Sequence, residues 1–273
     1  VEDIIRAIVL GVIQGLTEFL PISSSGHLIL AREFFGWEFT DDLTFDVAAH
    51  VGTTAAVVAF FWREWRDMVR RSIGSIITRS RSPVGIIYDE RLLLLIIAGS
   101  IPAAIVGVVF NFWLQDHLRG PRLTGVMLLL FGLVLYAADR WAGGSRGVSS
   151  IRIGDAAFIG VAQAVSLIPG VSRSGVTISA GMALGFSRYE AARFSFLLST
   201  PAILGAGALK SAEAVYEGVP VDDLVVIGVG ALVSAAAGWL AIRYLLAVLQ
   251  RGTLVQFVIY RLVVGAFVIA YFS

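Results

Sequence analysis

Residues 14–27 read QGLTEFLPISSSGH. A glutamate, a histidine, three successive serines and a proline stand here within otherwise apolar sequence. Gln14 and Glu18 are four apart and therefore share one face of a helix. Pro21 stops that helix, because it lacks an N–H, clashes with the preceding turn and drives the residue before it toward extended backbone. The chain is thus expected to break at Leu20-Pro21. Ser23, Ser24 and Ser25 are N-cap residue types, so a second helix is expected to start near Gly26.

The surroundings of this break are lipid. Hydrophobic residues make up 57% of the 273, charged residues 15%, and mean hydropathy is +0.83. A soluble domain carries about 25% charged residues. Apolar runs at 92–113, 123–138, 193–209, 224–249 and 254–272, with a shorter one at 47–62 ending in aromatic residues, are of the length that crosses a bilayer. The chain reads as an all-α polytopic membrane protein of about six transmembrane helices, forming a single integral membrane domain over 1–273. A net charge of +1 implies no nucleic-acid partner, and the lack of cysteine excludes disulfides, thiolate metal ligands and cysteine nucleophiles.

Arginine placement orients the spans. The segment 63–91 holds seven arginines against four acids, and 140–152 holds three arginines and no acid. By the positive-inside rule both face the cytoplasm, while the acidic segment 211–223 faces out. This leaves residues 1–43 and 153–192, each of which has to begin and end on one side, and each reads as a re-entrant helix pair. The two also resemble each other. Shifted by 149 positions, Gly11, Val12, Gln14, Ser23, Ser25, Gly26 and Phe45 fall on Gly160, Val161, Gln163, Ser172, Ser174, Gly175 and Phe194. Because the copies start from opposite faces, the chain reads as an inverted-topology repeat of approximately 1–113 and 150–273. Such repeats put broken helices and their binding site near the bilayer midplane.

In the second copy Pro169-Gly170 supplies the break, and Ser172 and Ser174 cap a helix expected over 176–184. Two helix N-termini facing each other offer free N–H groups and partial positive charge to an anion. Arg173 adds a full charge and a forked donor suited to phosphate. An arginine in the membrane costs about 2.5–3.5 kcal/mol on insertion scales, and Glu18 is the acid available to balance it. Glu18, Ser24, His27 and Arg173 together comprise a base, a nucleophile, a proton carrier and an oxyanion clamp, the equipment of phosphoryl transfer or hydrolysis. His50 reads as structural or as standing behind the site. Asp46 and Arg261, both in membrane segments, could pair with each other, or Arg261 could reach a lipid headgroup.

The stretch 14–27 and Pro169-Gly-Val-Ser-Arg-Ser-Gly-Val-Thr177 resemble the two signature motifs of the undecaprenyl-diphosphate phosphatase family, bacitracin-resistance type. Residues 187–198 and Ile259-Tyr-Arg-Leu262 look familial too, and the likeness runs end to end. It implies removal of one phosphate from the prenyl diphosphate lipid carrier at the outer face of the cytoplasmic membrane, a step in recycling the cell-wall lipid carrier. It further implies a divalent cation, Mg²⁺ or Ca²⁺, held by Glu18 with Gln14. Gln14 stands where the family has Glu or Gln, and its amide can ligate through oxygen but cannot act as a base. Ser23, Ser25, Gly26, Ser172, Ser174, Gly175 and Thr177 are then expected to bind substrate. Ser24 is expected to attack with His27 or Glu18 taking its proton, and attack by a metal-activated water stays open. A prenyl-phosphate flippase or anion transporter on the same inverted-repeat site is the alternative. The small-residue segments 205–208 and 228–230 leave a homodimer as a further expectation.

Overall fold

The computed structural model describes residues 2–37, 42–78, 90–118, 120–141, 143–217 and 221–272. Among them are eleven α-helices, a single 3-10 turn and no strand beyond an isolated bridge between Arg146 and Phe186. In chain order they are α1 (Glu2–Phe19), α2 (Ser24–Phe35), α3 (Asp42–Phe60), α4 (Trp62–Thr78), α5 (Glu90–Leu118), α6 (Pro121–Trp141), α7 (Ile153–Val165), α8 (Arg173–Ala183), α9 (Arg188–Glu217), α10 (Val221–Leu249) and α11 (Val255–Tyr271). Glu90–Phe110, Pro121–Trp141 and Leu224–Leu249 are long and apolar enough to cross a membrane. Ala48–Phe60, Ile153–Val165 and Val255–Tyr271 are shorter apolar helices. Leu94, Val108, Leu133, Leu232 and Val263 lie exposed on the outside of the bundle. An outer surface so rich in large aliphatic side chains is stable only against lipid. The fold is that of an all-helical polytopic membrane protein.

Three differences from the sequence reading concern helix extent. The arginine-rich segment after residue 62, read as facing the cytoplasm, is helical through residue 78, forming α4, and residues 79–89 lie outside the described residues. Helix α5 continues past residue 113 to Leu118 and carries Pro102 within it. Helix α9 continues through residue 217 with Pro201 inside it. In a bundle, neighbouring helices and side-chain hydroxyls compensate the carbonyl that an internal proline leaves free.

Packing follows seams of small residues. Helix α1 lies along α10, which also packs on α3; α7 lies along α5, and α6 along α11. A Cβ at Gly11 would come 2.7 Å from Gly230 O, and one at Gly15 would come 2.6 Å from Ser234 O. Close backbone approach of this kind is how helices associate where lipid removes the hydrophobic driving force between them. Two glycines of the small-residue segments considered for a dimer make such approaches within the chain. Gly207 and Gly230 are covered within the chain by Val51 and Phe45, whereas Gly205 and Gly228 have open space beside them.

Candidate active site

Both breaks form where expected, two residues earlier than expected for α2 and three for α8. Helix α1 stops at Phe19, Pro21 lies in a turn and α2 starts at Ser24; after the turn through Pro169 and Gly170, α8 starts at Arg173. The residues just before the two new helices, Ser23 and Ser172, both have left-handed backbone, with φ of 77° and 72°. Such a conformation costs a residue with a side chain about 1–3 kcal/mol and persists only where its surroundings hold it.

Here the two breaks hold each other. Gly170 N–H donates to Ser23 Oγ at 3.1 Å, and Ser174 Oγ donates to Leu20 O at 3.0 Å. Ser172 caps its own helix by accepting from Gly175 N–H at 3.2 Å. Ser23, expected to cap α2 in the same way, makes no such bond and reaches across to the other break instead. Arg261 of α11 completes the junction. Its guanidinium donates to Pro21 O at 3.1 Å, Gly170 O at 2.9 Å and Val171 O at 3.1 Å, and to Met127 O and Leu128 O of α6, each at 3.3 Å. It is fully buried, so it reaches no lipid headgroup. The Asp46 side chain considered as its partner lies outside the described residues. Gly170 has φ 90°, and a Cβ there would lie 2.5 Å from Thr124 O, so only glycine lets α6 come this close.

Two helix starts are thereby aimed at one carboxylate. Ser24 and Arg173 are the first residues of α2 and α8, occupying the same place in the two breaks. Glu18, at the end of α1, is buried. Its Oε1 forms an ion pair with Arg173 Nη2. Its Oε2 accepts from Ser24 Oγ at 2.5 Å and from Gln14 Nε2 at 2.9 Å, with His50 Nε2 at 3.6 Å. Arg173 Nη1 also donates to Ser199 O at 3.3 Å. A buried ion pair is tolerable only when its remaining lone pairs and protons find partners, and these contacts supply them.

The other expected residues fall into place around this core. His27 bonds Ser23 O through Nδ1 and Tyr260 Oη through Nε2, both at 2.7 Å, and its ring stacks on Tyr260. Of the two acceptors expected for the Ser24 proton, Glu18 is therefore the one hydrogen-bonded to Ser24. Thr177 Oγ1 donates to Arg173 O at 2.7 Å and lies 2.6 Å from Ser195 Oγ, fastening α8 to α9. Gly26 and Gly175 are sites of close approach, the first to Thr124 and Ser23, the second to Ser172 and Arg261. Ser25 is half-buried on α2.

The donor set fits a hard cation. Gln14 is fully buried, and its Oε1 has no hydrogen-bond partner, next to the Glu18 carboxylate. An orphaned carbonyl oxygen beside a carboxylate is what Mg²⁺ or Ca²⁺ would satisfy. Among the described residues no group of three or more His, Asp or Glu side chains converges, so Gln14 and Glu18 are the protein ligands on offer.

Sequence reasoning left Arg261 with two other roles and did not find Tyr260 or Ser199. The signal for Arg261 was available: it is the one charge in α11. A lone arginine in a spanning helix points to the bundle interior or a cavity more often than to lipid. Ser199 takes part through its carbonyl, which no side-chain pattern reveals.

Residues 7–267 match the model of the family described as bacitracin resistance protein BacA. The chain is similar to undecaprenyl-diphosphatase 2 of Stutzerimonas stutzeri, 44% identical over 99% of both chains. It is also similar to the undecaprenyl-diphosphatase of Geobacter sulfurreducens, 44% identical over 98% of both, and to that of Pelotomaculum thermopropionicum, 43% identical over 97% of this chain and 96% of the relative. A match over nearly the whole length, carrying both breaks and the residues between them, leaves no part of the site outside it. The chain belongs to the bacitracin resistance protein BacA family.

Proposed function

We propose that the protein removes the terminal phosphate of undecaprenyl diphosphate at the Glu18–Ser24–Arg173 site, releasing the lipid monophosphate and inorganic phosphate. The observation that carries the reading is the 2.5 Å hydrogen bond from Ser24 Oγ to the buried Glu18, whose other oxygen pairs with Arg173. Glu18 takes the Ser24 proton as Oγ attacks the terminal phosphorus. The Oγ–P bond forms, the bridging P–O bond breaks, and the lipid monophosphate leaves with the proton that Glu18 passes to its departing oxygen. The carboxylate so restored takes a proton from water as the water oxygen attacks the phosphoserine; the Oγ–P bond breaks, Glu18 returns the proton to Ser24 Oγ, and inorganic phosphate is freed. Arg173 and the N–H groups at the start of α8 face the charge that develops on the transferring group. His27, held by Ser23 O and Tyr260, keeps the start of α2 in place. Gln14 and Glu18 would hold the divalent cation. When bound, it supplies charge neutralisation across the diphosphate.

The two halves form an inverted repeat with re-entrant pairs α1–α2 and α7–α8, and the site opens to the outer face of the cytoplasmic membrane. In support, helix starts fall at residues 24 and 173, left-handed serines at 23 and 172, and α1 lies on α10 as α7 lies on α5. The product then serves as the lipid carrier for cell-wall precursors. Phosphate release from a long-chain prenyl diphosphate by the purified protein tests the reading, with Mg²⁺, with chelator, and in Arg173→Ala and Glu18→Gln. Metal-dependent release lost in both variants upholds it. Lipid binding by folded protein without release in any condition overturns hydrolysis and returns the site to transport.

A further inference from the structure

Helix α4 (Trp62–Thr78) contributes nothing to the site, and its surface is unlike that of any spanning helix. One side is fixed to the bundle: Met68 is buried in the main core and Glu64 accepts from Arg193 of α9 at 3.4 Å. The side facing away carries Trp62, Val69, Ile73, Ile76 and Ile77, each between 45% and 77% exposed. At 3.6 residues per turn these five fall within an arc of about 100°, the width of an apolar face. Arg66 falls just inside one edge of that arc, Arg70 and Arg63 run along the flank beyond it, and all three are exposed. Arg66 contacts the neighbouring Asp67 at 2.9 Å; among the described residues no acid lies within ion-pair reach of Arg63 or Arg70.

Four arginines and two acids in 17 residues forbid spanning, and a bare isoleucine face forbids open water. The depth of α4 is set by its attachment. It follows α3 after a single residue, Phe61, which is buried in the core, and it opens on the exposed Trp62, a residue type that lodges at headgroup level. We infer that α4 lies in the membrane–water interface with its apolar arc among the acyl chains, and that Arg63, Arg66 and Arg70 bind the phosphates of anionic phospholipids. Charge complementarity decides the occupant. The flank beside the lipid-facing arc is basic and its two outer arginines are free of acid partners, which matches an anionic headgroup layer. Each arginine strengthens attraction to such a surface on the order of fivefold.

The chain has no cysteine, so single cysteines at Ile73 or Ile76 can be spin-labelled in the full-length protein without background. In vesicles of phosphatidylcholine with phosphatidylglycerol, labels at both positions are expected to be reached by oxygen and not by a water-soluble nickel chelate. The triple variant Arg63→Gln, Arg66→Gln, Arg70→Gln, purified in detergent, is expected to lose affinity for added phosphatidylglycerol by about a hundredfold relative to wild type. Retention of phosphatidylcholine and the rate of phosphate release should stay unchanged. Labels open to the nickel chelate would overturn the inference. So would labels shielded from both reagents with spin–spin broadening, which would make this face an interface between two copies. Equal phosphatidylglycerol retention by wild type and triple variant would remove the arginines from the role.

Discussion

A carboxylate enclosed by protein survives ionised only if something else supplies what water did, and at Glu18 the supply comes from both halves of the chain. Arg173 balances the charge, while Gln14 and Ser24 donate to the remaining lone pairs. Removing one partner therefore does more damage than removing the pair. Arg173→Met is expected to destabilise the protein by about 3–5 kcal/mol, because Glu18 is left as an uncompensated buried charge. The double variant Arg173→Met, Glu18→Gln should recover most of that loss while staying inactive. Thermal unfolding of both proteins in one detergent checks the order. Ser24→Ala removes one hydroxyl from a half-buried position, so the fold should hold while phosphate release falls roughly a thousandfold or more. A Ser24→Ala protein with near-normal turnover would leave attack to water and make Ser24 a hydrogen-bond donor only.

Two short helices, α2 and α8, are the elements on which the site rests, and neither stands alone. Their starts are fixed by left-handed serines, by bonds between the two breaks and by Arg261, which binds five carbonyls across three segments. Met127 O and Leu128 O keep their helical N–H donors within α6, but Arg261→Met would leave the oxygens of Pro21, Gly170 and Val171 without donors, at about 1–3 kcal/mol for each one not re-satisfied. A lower unfolding midpoint is the expected result, with Arg261→Lys only partly restoring it, since an ammonium cannot span the same fork. Gly170 offers a sharper contrast. Gly170→Ala places a Cβ 2.5 Å from Thr124 O at a positive φ, and should both lower the midpoint and reduce phosphate release. Gly154→Ala on α7 meets open space and should leave both unaltered or stabilise slightly.

At the scale of the molecule, a site at the meeting point of two halves links ligand binding to overall stability. Anything that binds the folded site alone raises the unfolding free energy, by about 2.7 kcal/mol at a hundred times its dissociation constant. Mg²⁺ or Ca²⁺ is therefore expected to raise the unfolding midpoint of the wild type, and chelator to reverse the rise. Glu18→Gln, in which the one charged ligand is gone, should show no such shift. A cation shift of wild-type size in that variant would place the metal elsewhere.

Much of this was legible in residues 14–27 and 169–177 before any coordinates. Apolar composition dictates a membrane, because so few charged residues cannot clothe a water-soluble core. Pro21 and Pro169-Gly170 break helices by local sterics, and the serines after them open new ones for equally local reasons. A charged pair as dissimilar as Glu18 and Arg173 in lipid is legible as a site because burial of either alone is prohibitive. What tertiary structure decided is everything that depends on which break meets which. Ser23 is a cap by type, yet its hydroxyl serves the other break. His27 is a proton carrier by type, yet both its nitrogens are engaged by Ser23 and Tyr260. Arg261, with no acid near it in sequence, finds backbone carbonyls from three segments. Residue types and spacings determine what each group can offer, and local backbone preferences follow from them. Partners separated by a hundred residues or more are chosen by packing, and the geometry of catalysis is made there.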